Sequence, residues 1–229
     1  KTIISELVQI ASLKKYFTNI QNQAYNKDVY QILQNELYTS FDRQLNTVDA
    51  ERILGNEFAF EKFQTMSMQQ ITDIAGEDYK DSLTNLTPEM IERDQSYYLE
   101  NMLKIRLLME DNNSQTMPEL VKLNKDLTEN KYEYPLTSLL MPSYTNLIKK
   151  YQGYQTSLKM NLLSLKLKEF RENQGNYPDS LDQLSVDKDL FLDTLSETNF
   201  TYTKKDDQIT LEPITDFGKD NKGMKIFLK

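Results

Sequence analysis

The chain has 229 residues, a formal net charge of −8, and neither cysteine nor histidine. A chain of this length buries about 70% of the surface that its unfolded form exposes, so its fold needs no metal or disulfide to hold it together. The negative charge argues against sequence-independent binding to nucleic acid or to an anionic membrane surface. Without cysteine and histidine, most hydrolase triads and most transition-metal sites are excluded. Carboxylate, lysine, tyrosine, serine and threonine groups remain for catalysis.

Apolar residues recur at helical spacing through most of the first 170 positions, which predicts a mostly helical body. A first helix is predicted over 3–20. Asp28 can cap a second helix, whose predicted inward face comprises Val29, Ile32, Leu33, Leu37, Phe41 and Leu45. Thr47 is predicted to start a third helix, and its predicted inward face comprises Ile53, Leu54, Phe58, Phe63, Met66 and Ile71.

The segment 76–87 is polar and is predicted to be a connection. Thr87 followed by Pro88 is typical of a helix start, because proline suits the first helical turn; this helix should end near residue 110. Pro118 indicates another helix that ends near residue 130. A final long helix is predicted over about 143–173.

The C-terminal part changes to a pattern with a period of two. Gly175 can supply the left-handed residue that ends a helix, and the Tyr177-Pro178 pair favours extended backbone. Alternation over 199–204 and 208–212 predicts two strands, with a short hairpin turn at 205–207. A third strand is predicted over 224–228.

These elements predict a mainly α fold: a multi-helix, bundle-like body followed by a small α+β module with a long helix and about three antiparallel strands. We assign 1–142 to the helical body. Residues 143–229 form the long helix and the small sheet.

The segment 175–184 (Gly-Asn-Tyr-Pro-Asp-Ser-Leu-Asp-Gln-Leu) resembles the C-terminal module of type II secretion major pseudopilins. The helix end at 170–173, the strands around Phe200-Tyr202 and 208–211, and the turn 216–220 follow in the family's order. The chain looks even more like uncharacterised, mostly helical bacterial envelope proteins that carry this module. The resemblance implies an extracytoplasmic setting behind an N-terminal membrane helix, and it implies no enzymatic activity.

The sequence opens at Lys1 and contains no stretch of the roughly 20 apolar residues that a membrane span needs. We therefore expect an apolar anchor or signal immediately before Lys1, as the sole link to a membrane. The expected location is the periplasm or the cell surface. The expected partner is a protein of the cell envelope.

Candidate site residues fall in three regions. Asp216, Asp220 and Asn221 lie between two glycines and are candidate calcium ligands, as the pseudopilin resemblance also implies for this loop; the alternative that their spacing favours is a solvated connection without a cofactor. Glu51, Arg52 and Glu57 could form a buried carboxylate site, with ordinary surface charge as the simpler interpretation.

Tyr97 and Tyr98, together with Tyr132 and Tyr134, could line a ligand groove between helices, or belong to the core and its rim. No catalytic residue is predicted. The sequence thus favours a non-enzymatic protein that acts through protein–protein contact or envelope assembly. One alternative is a helical ligand-binding protein with a pocket between helices, and another is a carboxylate hydrolase, which needs two acidic groups within about 5 to 10 Å in a cleft.

Overall fold

A computed structural model describes residues 8, 11–12, 16–17, 19–83, 86–111, 113, 115–141, 144–194, 196–215 and 225–228, without the side chains of 77 and 144–147. The chain is mostly helical and carries a small antiparallel sheet of three strands near its C-terminus, which confirms the predicted fold class.

Eight α-helices lie among the described residues. They are α1 (Lys27–Leu54), α2 (Glu61–Thr65), α3 (Met68–Ala75), α4 (Lys80–Leu83), α5 (Pro88–Asp111), α6 (Thr116–Glu129), α7 (Pro135–Leu140) and α8 (Tyr144–Gln174). A π-helical turn, Gly55–Phe60, connects α1 to α2, and 3-10 turns occupy Glu77–Tyr79, Leu181–Gln183 and Lys188–Phe191. The strands are β1 (Thr201–Lys205), β2 (Gln208–Glu212) and β3 (Ile226–Leu228).

The chain divides into two compact units. Unit 1 contains the described part of 44–148. Unit 2 contains the described parts of 4–43 and 149–229. The boundary predicted at 142/143 lies near the observed boundary between the units at 148/149. The early segment 4–43 was predicted to belong to the helical body, but it belongs to the same unit as the C-terminal module.

The start of α1 is fixed by Asn26 rather than by Asp28. The side-chain oxygen of Asn26 accepts hydrogen bonds from the backbone N–H groups of Asp28 at 2.9 Å and Val29 at 3.1 Å, which is the bonding of an N-cap. The predicted break at Thr47 is wrong, because α1 runs unbroken past it and Thr47 is buried. A threonine suits a helix start, but here burial decides its conformation.

The core of unit 1 includes one face of α5, where buried positions recur every three or four residues. Thr87 caps this helix as predicted, with its hydroxyl oxygen accepting from the N–H of Met90 at 3.3 Å. The connection predicted over 76–87 is wrong in part, because it contains α4 and the fully buried Leu83.

The core of unit 2 combines α8 with the sheet. Buried leucines of α8 belong to the same cluster as Tyr177, Ile209, Leu211 and Ile226. Gly175 has a φ of +78° and ends α8 as predicted. Tyr177, 2% exposed, is a core residue of the helix-and-sheet cluster.

The sheet has the order β1-β2-β3, and both strand pairs are antiparallel. Lys205 pairs with Gln208, so Asp206 and Asp207 form a two-residue hairpin turn, with Asp206 at a φ of +54°. The three predicted strands are thus confirmed, with ends shifted by at most two residues.

Candidate functional site

The π turn Gly55–Phe60 is the most unusual backbone feature of unit 1, since π-helical turns are rare and frequent at functional sites. A π turn holds one more residue than an α turn, so it changes which side chains face the core after it. Phe60 is fully buried and contacts Phe63 edge-on, with ring centroids 6.0 Å apart. The turn therefore directs these two rings inward.

Tyr98 of α5 holds this turn in place. Its hydroxyl donates a hydrogen bond to the carbonyl oxygen of Glu51 at 2.9 Å, and its ring packs against Phe60 with a centroid distance of 5.4 Å. A Cβ atom at Gly55 would lie 2.1 Å from that hydroxyl oxygen. Glycine is therefore required at position 55 because Tyr98 occupies the space of a side chain.

Three large apolar side chains that were predicted to face inward are exposed in this turn and at the end of α1 just before it. Ile53 is 46% exposed, Leu54 38% and Phe58 58%. Leu54 and Phe58 are four residues apart and Ile53 precedes Leu54, so the three lie within little more than one turn. We call Ile53, Leu54 and Phe58 the apolar patch. For Phe58 the prediction was wrong because the period of a regular helix takes no account of the extra residue in the π turn. Ile53 and Leu54 precede the turn and lie on the solvent side of α1.

Polar contacts surround the patch. Asn56 accepts a hydrogen bond from the side chain of Gln95 at 2.9 Å. Asp49 lies 3.2 Å from Arg106 and 3.8 Å from Arg52. These contacts tie the turn and the end of α1 to α5 by charge as well as by packing.

The predicted carboxylate site is not a buried cluster. Glu57 is exposed and Glu51 is half-buried, and the contact that Glu51 makes with Tyr98 uses its backbone rather than its carboxylate. Arg52 is held near Asp49. Over the described ranges, no group of three or more acidic side chains is placed to hold a metal ion.

Tyr97 and Tyr98 do not line one groove. Tyr98 is buried against the π turn, whereas Tyr97 stacks face to face on Tyr134, with ring centroids 3.8 Å apart and an interplanar angle of 16°. Arg93 lies over the ring of Tyr134 at 5.4 Å. Burial is the main cause that raises the pKa of Tyr134. Tyr132 is exposed and packs with Lys131 instead.

Asp94 is a buried charged residue that the sequence analysis did not single out. Its two carboxylate oxygens accept the backbone N–H groups of Leu136 at 2.7 Å and Thr137 at 2.9 Å, so it caps the start of α7 from a distance. Burial raises the pKa of Asp94 against the effect of these hydrogen bonds. The signal was present: Asp94 occupies a core position of the helical period that runs from Ile91 to Tyr98.

The predicted calcium ligands Asp216, Asp220 and Asn221 lie outside the described residues. No helix in the described ranges is both long enough and apolar enough to span a membrane.

No protein-family model matches the chain, and no curated protein or solved structure matches it either.

Proposed function

We propose that the protein is a non-enzymatic binding protein that acts through contact with another protein, and that the apolar patch is its contact surface. The exposure of Ile53, Leu54 and Phe58 on one turn carries this proposal. Scattered exposed apolar residues are ordinary, but adjacent ones are typical of interaction sites.

The way the patch is held supports the proposal. π turns are rare, and here Tyr98 packs against Gly55 and donates to Glu51 while Gln95 donates to Asn56, so the turn is fixed to α5. A surface held in a fixed conformation loses less entropy on binding than a flexible one.

The spacing and charge of the patch indicate the kind of partner. Leu54 and Phe58 have the i, i+4 spacing of a helix that lays its apolar face into a groove of another protein. Exposed Glu57 and Glu61 lie beside this face. The partner should therefore offer an apolar groove with basic residues at its rim.

Catalysis has less support than binding. Three clefts formed by described residues have at most one carboxylate residue each in their lining, namely Glu172 in one, Glu169 in another and none in the third. A carboxylate hydrolase needs two acidic groups in one cleft. We therefore place the hydrolase alternative behind both binding alternatives.

The test is site-specific photo-crosslinking in the native cell, with the photoreactive residue at position 57. We expect an adduct with a discrete second protein, and we expect Leu54→Asp or Phe58→Asp to abolish it. Leu103→Asp is the matched control, because Leu103 is 53% exposed and lies on α5 away from the π turn in sequence. The proposal fails if Leu103→Asp reduces the adduct as much as Leu54→Asp does, or if the adduct contains two copies of this chain.

The setting of this contact is a second proposal, which rests on the pseudopilin-like C-terminal segment. We propose that the protein works in the cell envelope, outside the cytoplasm, held by an N-terminal membrane anchor. Protease treatment of intact and lysed native cells tests this. Protection of the protein in cells whose outer layers are permeabilised would contradict it.

A further inference from the structure

Unit 2 contains an open cleft of about 440 Å³, which lies within the size range of ligand-binding pockets. One wall is the turn that follows residue 20, and the other is the last turn of α8 together with the residues after it. The lining of the cleft includes Gln21, Gln23, Ala24, Arg171, Glu172 and Tyr177.

Lys168 builds the first wall of the cleft. Its ammonium group donates to three backbone carbonyl oxygens, those of Ile20 at 3.0 Å, Gln21 at 2.9 Å and Gln23 at 2.5 Å. An ammonium group has three N–H donors, so this lysine is fully used in holding the turn. It shapes the cleft and leaves ligand binding to other groups.

Among the described residues that line the cleft, Arg171 is the cation that remains for a ligand. Its guanidinium lies over the ring of Tyr177, 4.8 Å from the centroid, and Nη1 is 3.5 Å from the tyrosine oxygen. Among the described carboxylates, the nearest is that of Asp207, 4.0 Å from Nη2. A guanidinium has five N–H donors. The contact with Tyr177 holds the guanidinium at the cleft, and its side-chain contacts with described residues are long, so most of its donors are available to a ligand.

A fixed guanidinium edge in a cleft matches the two oxygens of a carboxylate. Glu172 lines the same cleft, and the carbonyl end of α8 carries partial negative charge. Both oppose any anion in proportion to its charge, so they disfavour a doubly charged phosphate more than a singly charged carboxylate. The side-chain amides of Gln21 and Gln23 can both donate and accept hydrogen bonds, as the peptide groups of a ligand also can.

We propose that this cleft binds the carboxyl terminus of a peptide, with its carboxylate on Arg171. This site is in the other unit from the apolar patch and stands independently of it. Two ligand sources share the carboxylate chemistry: a peptide end and a small free carboxylate.

The test measures binding of N-acetyl-alanyl-alanine to the full chain by calorimetry and amide NMR shifts. Its C-terminal amide, acetate and inorganic phosphate are the comparison probes. We expect the peptide acid to bind and each other probe to bind at least about tenfold more weakly, because the amide lacks the charge that strengthens the Arg171 bonds. Equal affinity for the acid and the amide, or for the acid and phosphate, overturns the proposal. Equal affinity for acetate overturns the peptide assignment.

Variants locate the site. Arg171→Ala should weaken binding about ten- to hundredfold, and Arg171→Lys should weaken it less. Lys205→Ala is the matched control, since Lys205 is exposed, carries the same charge and does not line the cleft. Unchanged affinity in Arg171→Ala overturns the proposal.

Ala24→Phe keeps the test decisive if Arg171→Ala fails to fold. Ala24 is exposed and lies outside the helices, so a larger side chain there fills the cleft without displacing Arg171. Blocked binding supports the site. Undiminished binding overturns it.

Discussion

The hydroxyl of Tyr154 donates a hydrogen bond to the carboxylate of Glu36 at 2.6 Å, which joins α8 to α1 within unit 2. Arg43, two helical turns further along α1, contacts the same carboxylate oxygen of Glu36. The tyrosine ring also stacks on Phe17, with centroids 6.1 Å apart. This contact combines a charged hydrogen bond with core packing.

Tyr154→Phe should lower the free energy of unfolding by about 1.5 to 3 kcal/mol, the usual contribution of a hydrogen bond to a charged group. Urea denaturation measures this. Tyr38→Phe is the matched control, because Tyr38 is on α1 and exposed, and it should change stability by less than about 0.5 kcal/mol. Equal effects of the two variants would contradict the structural assignment.

The same tyrosine should make stability fall at high pH. Burial, and then Glu36, raise the pKa of Tyr154 far above its ordinary value of about 10. The folded state thus keeps a proton that the unfolded state loses, so its contribution is complete below about pH 10 and declines above it. In Tyr154→Phe this decline should be smaller than in the unchanged protein. Denaturation midpoints at several pH values check it.

Asp94→Ala should destabilise the protein by about 2 to 4 kcal/mol, because two buried N–H groups of α7 lose their acceptor. Glu100→Ala on the exposed side of α5 is the control and should have little effect. Hydrogen exchange should show the loss first at the amides of Leu136 and Thr137. Uniform exchange across unit 1 would argue against a local cap.

Asp94 also predicts a dependence on acidity. Its raised pKa means that the folded state holds this proton more tightly than the unfolded chain, whose value is about 3.9. Its contribution is therefore complete below about pH 3.9 and is lost as the pH rises through the folded pKa. The free energy of unfolding of Asp94→Asn and of the unchanged protein, measured at several pH values from about 3.9 upward, isolates this contribution. The variant should lack the fall in stability that Asp94 causes.

Gly55→Ala tests the fit of the π turn. In a regular helix this change stabilises by about 1 kcal/mol. Here it should destabilise by about 1 to 3 kcal/mol, because the new Cβ meets the Tyr98 hydroxyl. Combining it with Tyr98→Leu should recover part of the loss, and the four unfolding free energies of the double-mutant cycle measure this coupling. Simple additivity would show that the two residues do not compete for one space.

Lys168→Met should destabilise unit 2, since three carbonyl oxygens lose a charged donor. We expect a loss of about 2 to 4 kcal/mol. Lys150→Met on the exposed side of α8 is the control. Both variants replace a lysine with methionine. Equal losses of unfolding free energy would therefore mean that the lost charge, and not the three hydrogen bonds of Lys168, determines the effect.

The local signals in the sequence predict the local structure well. Thr87-Pro88 predicts the start of α5, and the helix does begin at Pro88. Gly175 predicts the end of α8, because few other residues adopt a positive φ. Alternating residues give the strands. Each of these depends on neighbours in the sequence.

The remaining features depend on distant residues. Phe58 was predicted to face inward because nothing near it signals the π turn, which is held in place by Tyr98, a residue much later in the chain. The cleft at Arg171 likewise needs a turn around residues 20–23 that lies far away in sequence. The sequence pattern predicts the longer helices α5, α6 and α8 but misses α4 in the segment 76–87, and it does not show which elements pack together.

The extra residue in the π turn makes that segment unusually tolerant of shortening. Removing Asn56 would convert Gly55–Phe60 into an ordinary helical turn, with α1 and Phe60 keeping their orientations. The same deletion in the middle of α1 would rotate everything after it by about 100°. A chain one residue shorter at this place would thus fold around the same rings, with Ile53 and Leu54 still at the end of α1, and would lose the hydrogen bond between Asn56 and Gln95.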